Sequence, residues 1–104
     1  MTDFFVTYTM ANKEDRDGYL REIQEKGIDE LSRGEEGCYR YDYFYPVGKD
    51  NMLFLWEQWE TREHQAEHCK TAHFAQLGEL KKKYGVTADI QIEDRSWLLS
   101  HRHF

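Results

Sequence analysis

The chain has 104 residues, enough for one domain, with 39% hydrophobic and 15% aromatic content for a small core and 33% charged residues. A net charge of −6 argues against nucleic acid, whose phosphates call for clustered Lys and Arg, and no apolar run reaches the roughly 20 residues of a membrane helix. Met1-Thr-Asp-Phe-Phe-Val6 has neither a basic start nor a small-residue cleavage site, so no signal peptide, a cytoplasmic location, and free thiols at Cys38 and Cys69 are expected.

Asp3 to Met10 reads as a first strand, rich in aromatic and β-branched residues. Asn12 is placed to cap a helix whose first turn carries Glu14 and Asp15. Apolar Tyr19, Leu20, Ile23 and Leu31 carry that helix to about Arg33, with a distortion expected at Gly27. Gly34 and Gly37 bracket a turn into a second strand, Cys38 to Tyr45. There Tyr39, Tyr41, Tyr43 and Tyr45 alternate with Arg40, Asp42 and Phe44, so a row of tyrosines is expected on one face. Such a row can line a core or form a pocket wall for a flat ligand with a polar rim.

Pro46 to Asn51 is the turn into a third strand, which ends near Trp59. Leu53, Leu55, Glu57 and Trp59 share one of its faces, and Met52, Phe54, Trp56 and Gln58 the other. Both faces are mostly apolar, so two different layers must cover this strand. Thr61 then caps a short helix bearing His64 and His68, and Thr71 caps a second with Phe74, Leu77, Leu80 and Tyr84 on one side. Lys81-Lys82-Lys83 falls where that helix ends and complements its dipole, and Gly85 closes it. Val86 to about Glu93 forms the last strand, with Val86, Ala88, Ile90 and Ile92 turned inward, and 94–104 form a tail containing Trp97.

The order β-α-β-β-α-β predicts an α+β, ferredoxin-like fold, with an antiparallel sheet and both helices on one face. The bare face would include Met52, Phe54 and Trp56, which predicts a homodimer joined sheet to sheet. The tail around Trp97 is a candidate for crossing between subunits.

Glu35-Glu-Gly-Cys-Tyr-Arg-Tyr41, Glu57-Gln-Trp-Glu60 and His68-Cys-Lys-Thr-Ala-His-Phe74 together resemble, in order, the segments of the antibiotic biosynthesis monooxygenase (ABM) domain. The resemblance spans roughly Phe4 to Ile92 and implies a dimeric α/β-barrel. It also implies one of several activities: cofactor-independent monooxygenation of phenolic, quinol or polycyclic aromatic substrates, haem degradation, or isomerisation of a phosphorylated autoinducer sugar. The haem-degrading branch uses a first-strand asparagine and a second-helix tryptophan, and this chain has neither. A non-catalytic ligand-binding dimer is the remaining alternative.

The candidate catalytic residues are Glu57, His68 and His73. Glu57 is either a structural carboxylate or a desolvated one with a raised pKa, and the histidines either cap helix ends or exchange protons. The expected site lies between the helices and the sheet, with Glu57 orienting an imidazole that takes the substrate proton. Tyr39, Tyr41, Leu55 and Trp59 are its expected walls, and His64 a further substrate contact. His64 and His68, four residues apart, suit a metal, but no third ligand is evident and none is expected. No glycine-rich nucleotide motif occurs, so no cofactor is expected either. His101 and His103 sit in the tail without a surrounding motif.

Overall fold

A computed structural model describes residues 1–95. Its elements are β1 (Thr2–Thr9), α1 (Lys13–Glu25), α2 (Ile28–Arg33), β2 (Cys38–Phe44), β3 (Met52–Trp59), α3 (Arg62–His68), α4 (Ala72–Lys83) and β4 (Thr87–Asp94). The strands form one antiparallel sheet in the order β2-β3-β1-β4. This is the expected ferredoxin-like α+β fold. The tail around Trp97, with His101 and His103, lies outside the described residues.

Local signals place the helices. Asn12 accepts from the amide of Asp15 at 2.8 Å, and Thr61 and Thr71 accept from His64 and Phe74 at 3.2 Å each. One expectation is corrected at Gly27. It adopts φ 68 and ends α1 outright, so α2 starts afresh instead of continuing a distorted helix. The break resets the helical phase. Ile28 becomes fully buried, and Leu31, expected on the apolar face, is 54% exposed.

The alternation of β3 is realised: Leu53, Leu55, Glu57 and Trp59 are buried beneath the helices. Register sets them against Tyr8, Val6, Phe4 and Thr2 of β1. Met52, Phe54, Trp56 and Gln58 lie on the helix-free face, half-buried. There Phe5 stacks on Phe54 at 6.2 Å and meets Trp56 at 5.8 Å, and the Arg40 guanidinium lies 4.1 Å above the Trp56 ring.

Two further corrections concern the edge strands. The register of β2 slips between Cys38 and Arg40, so Tyr39 bulges outward and is 58% exposed. Tyr45 follows the end of β2 and is exposed, its ring under the Arg16 guanidinium. Only Tyr41 and Tyr43 of the expected row face the core. On the other edge, pairing puts Ala88, Ile90 and Ile92 on the same face as Tyr8, Val6 and Phe4, but among the described residues no helix covers them closely and all three are exposed.

Candidate active site

Three separate segments converge beneath α4. The first is the turn between α2 and β2. Glu35 donates its amide to the Ser32 carbonyl, its own carbonyl accepts from Cys38, and the Gly37 carbonyl accepts from Glu60 at 2.7 Å. Gly37, with φ 79, lies against the His64 ring, whose Nδ1 bonds the Thr61 hydroxyl at 2.8 Å. His64 thus braces the turn that presents Glu35.

The second segment is the junction of α3 and α4, where four residues of the His68 to Phe74 stretch have distinct tasks. His68 ends α3. The Thr71 hydroxyl donates to the His68 carbonyl at 2.7 Å and also caps α4 by accepting from Phe74. His73 follows in the first turn of α4, and the Phe74 ring meets the His68 ring edge-on at 5.2 Å. The third segment is the inner face of β3, whose Trp59 ring lies 5.1 Å from that of His68. Tyr41 of β2 closes the wall at 5.5 Å.

The polar groups meet at one atom. Glu35 Oε2 lies 2.5 Å from His68 Nδ1 and 2.9 Å from His73 Nε2. An ionised carboxylate only accepts, so both ring nitrogens are donors and carry protons. His68 Nε2 is consequently a bare lone pair, and it is buried without a partner. Burial lowers the His68 pKa against the opposing pull of Glu35, which leaves the ring neutral and able to accept a proton.

Glu57 is placed differently from expectation. It is buried, and its Oε1 accepts from Trp59 Nε1 at 3.0 Å, so it orients an indole and not an imidazole. The orienting carboxylate is Glu35, the first residue of the Glu35–Tyr41 segment and not among the expected catalytic residues. The signal available was its position two residues before Gly37 at the head of a strand. Burial raises the Glu57 carboxyl to about 7.

Of the expected walls, Tyr41, Leu55 and Trp59 are buried on the helix-bearing face, and Tyr39 is not part of it. The Tyr41 phenol is held protonated, its pKa well above 10 because it is buried. Cys38, pushed up to about 11 by burial, and Cys69, also raised, are free thiols and not thiolates.

Glu35, His68 and His73 also form a group whose ligand atoms lie within 4.8 Å of one another, a set of the kind that holds divalent transition metals. The expected pair was His64 and His68, but His64 is turned to Thr61 and Gly37. A ligating imidazole ordinarily donates its outer N–H to a partner. His68 Nε2 has none among the described residues, so a metal here would lack that support, whereas a relay uses the same nitrogen as its free base.

The family profile described as "Antibiotic biosynthesis monooxygenase" matches residues 4–79. The chain is 36% identical over 67 residues to "Putative monooxygenase YcnE" of Bacillus subtilis, covering 64% of this chain and 68% of that one. Its fold is similar to that of a Bacteroides thetaiotaomicron protein described as of unknown function, "Possible Oxidoreductase", with TM-score 0.75 and 25% identity over 88% of this chain and 95% of the other. It is also similar to that of a "putative antibiotic biosynthesis monooxygenase" from Deinococcus radiodurans, with TM-score 0.77 and 19% identity over 90% and 91% of the two chains. With the matched region spanning β1 to α4 and the site built from its segments, the chain belongs to the antibiotic biosynthesis monooxygenase family.

Proposed function

We propose that the protein is a cofactor-independent monooxygenase acting on a small phenolic, quinol or polycyclic aromatic substrate. The observation that carries this reading is the His68 ring, protonated at Nδ1 toward Glu35 and bare at a buried Nε2. That is the arrangement of an oriented general base. Nε2 takes the proton of a substrate hydroxyl, and the Glu35 carboxylate stabilises the imidazolium that forms. His73 shares the same carboxylate oxygen, holding it in place and offering a path for the proton toward the partly exposed side of the site. Glu57 is a second proton carrier within the aromatic wall.

Removal of the proton makes the ring electron-rich enough to react with molecular oxygen directly. In a ring methylene substrate, CH2 and O2 become C=O and H2O, with all the electrons drawn from the substrate. The protein's part is the base, the orientation, and a surround of Tyr41, Trp59 and Phe74 that keeps water away.

The partner is a second copy of the chain, joined through the helix-free face of the sheet. Support comes from the half-buried Met52, Phe54 and Trp56, the Phe5 ring beside them, and grooves of about 260 and 400 Å3 on that face. Burying such a patch at about 25 cal/mol per Å2 favours association. No helix among the described residues is long and apolar enough to cross a membrane, and we place the protein in the cytoplasm.

Oxygen uptake across a panel of hydroquinones and anthrones tests the activity. Substrate-dependent uptake with product carrying one atom of labelled oxygen is expected. Turnover of enolisable sugars without uptake identifies an isomerase instead, and saturable binding without turnover a ligand-binding dimer.

A further inference from the structure

The three lysines ending α4 are not equivalent. Lys82 and Lys83 are exposed and paired, with Glu79 at 3.5 Å and Glu22 at 2.6 Å. Lys81 is turned inward and partly buried. Its Nζ lies 5.4 Å from the centre of the Tyr8 ring and 5.8 Å from that of Phe74. Among the described residues its ammonium has no hydrogen bond or ion pair. Complementing the helix dipole does not require this, since Lys82 and Lys83 do so from solvent. An ammonium drawn out of water with no anion in contact costs free energy, and the two aromatic faces together with the charge of the more distant Glu57 return only part of it.

The charge of Lys81 acts on Glu57, His68 and Cys69 alike. The Phe74 ring is a wall common to both groups, with the His68 ring 5.2 Å away and Lys81 Nζ 5.8 Å away. A base and a cation with no contact partner thus both adjoin the Phe74 ring, an arrangement that suits a substrate that becomes an anion on losing its proton. Burial lowers the Lys81 pKa but leaves an amine that an anion nearby would keep charged.

We propose that Lys81 binds the oxyanion of the substrate, its Nζ pairing with the phenolate oxygen left when the hydroxyl proton moves to His68 Nε2, while Phe74 and Tyr8 pack against the ring. The only bond broken is O–H, and the proton goes to the imidazole. The ligand class is a flat, hydroxylated aromatic bound as a monoanion. This rests on the reading of His68 as the base, and it can be tested without turnover.

The probe is 4-nitrophenol, whose phenolate is read by its visible absorbance as pH is varied in the presence of excess protein. The bound probe should ionise at least about one pH unit lower than in water, as an opposite charge at contact range produces. Lys81→Met should bind the probe with that shift abolished, and Lys81→Arg should retain it. Wild-type protein that binds no probe at millimolar concentration, or leaves its ionisation unchanged, overturns the proposal without recourse to a variant. So does Lys81→Met protein that shifts the probe as the wild type does. If the probe is shifted but no oxygen is consumed with any substrate, the anion site stands and the monooxygenase reading falls.

Discussion

His68 and Glu35 are joined through a single ring nitrogen, Nδ1 to Oε2 at 2.5 Å, which leaves the opposite nitrogen of the imidazole buried with an unused lone pair. The chemistry proposed for this chain depends on that pairing. His68→Ala should lower kcat at least about 100-fold on a confirmed substrate. Glu35→Gln should cost less, about tenfold, because the base survives but loses its orientation. Glu35 raises the His68 pKa, so its loss should also move the acidic limb of the kcat/KM profile to lower pH. An unchanged limb with lowered kcat would reduce Glu35 to a purely structural part.

The Glu57 carboxyl predicts a pH dependence of stability. Its folded pKa, about 7, lies above the usual 4.5. The folded state therefore holds the proton more tightly than the unfolded chain. Its contribution is fully present below about pH 4.5 and is lost as pH rises through 7. The gap corresponds to about 3 kcal/mol at most. Glu57→Gln, which keeps an acceptor for Trp59 Nε1, should gain thermal stability relative to wild type between pH 5 and pH 8. Melting curves of both proteins at the two pH values check this, and a constant difference would contradict it.

Gly37 has φ 79, and a Cβ there would lie 2.4 Å from His64 Cγ. Gly37→Ala should destabilise the protein by on the order of 2 kcal/mol, from backbone strain and displacement of the His64 ring. Because Glu35 is two residues away, turnover should fall as well. Urea unfolding and steady-state kinetics on the same preparation would show both effects. Loss of stability with full activity would mean that the turn can deform without moving the carboxylate.

Trp56 reports on assembly. Its ring lies on the helix-free face between Phe5 and Arg40, with Nε1 donating to Asp3 at 2.9 Å. Trp56→Glu should convert a dimer into monomer or aggregate while the helix-bearing face keeps its core. Sedimentation at micromolar concentration decides it. A wild-type protein that sediments as a monomer removes the basis for a sheet-to-sheet dimer.

The helix caps at Asn12, Thr61 and Thr71 were legible because each is a bond from a side chain to an amide three residues on. The two faces of β3 were legible because strand geometry alternates side chains without reference to anything distant. Those local rules, applied in order, were enough to determine the β-α-β-β-α-β fold. They did not reach the bulge that turns Tyr39 out, the phase reset at Gly27 that buries Ile28 in place of Leu31, or the bareness of β4. The helical period does set Lys81 apart from its two neighbours, beside Leu77, Leu80 and Tyr84, but it does not reach the Tyr8 and Phe74 rings that its ammonium meets there. The relay itself joins residues 33 and 38 positions apart. Neither periodicity nor spacing records such a contact. It exists because the turn before β2 and the junction before α4 are brought over the same end of β3, and that is a property of packing, not of any segment alone.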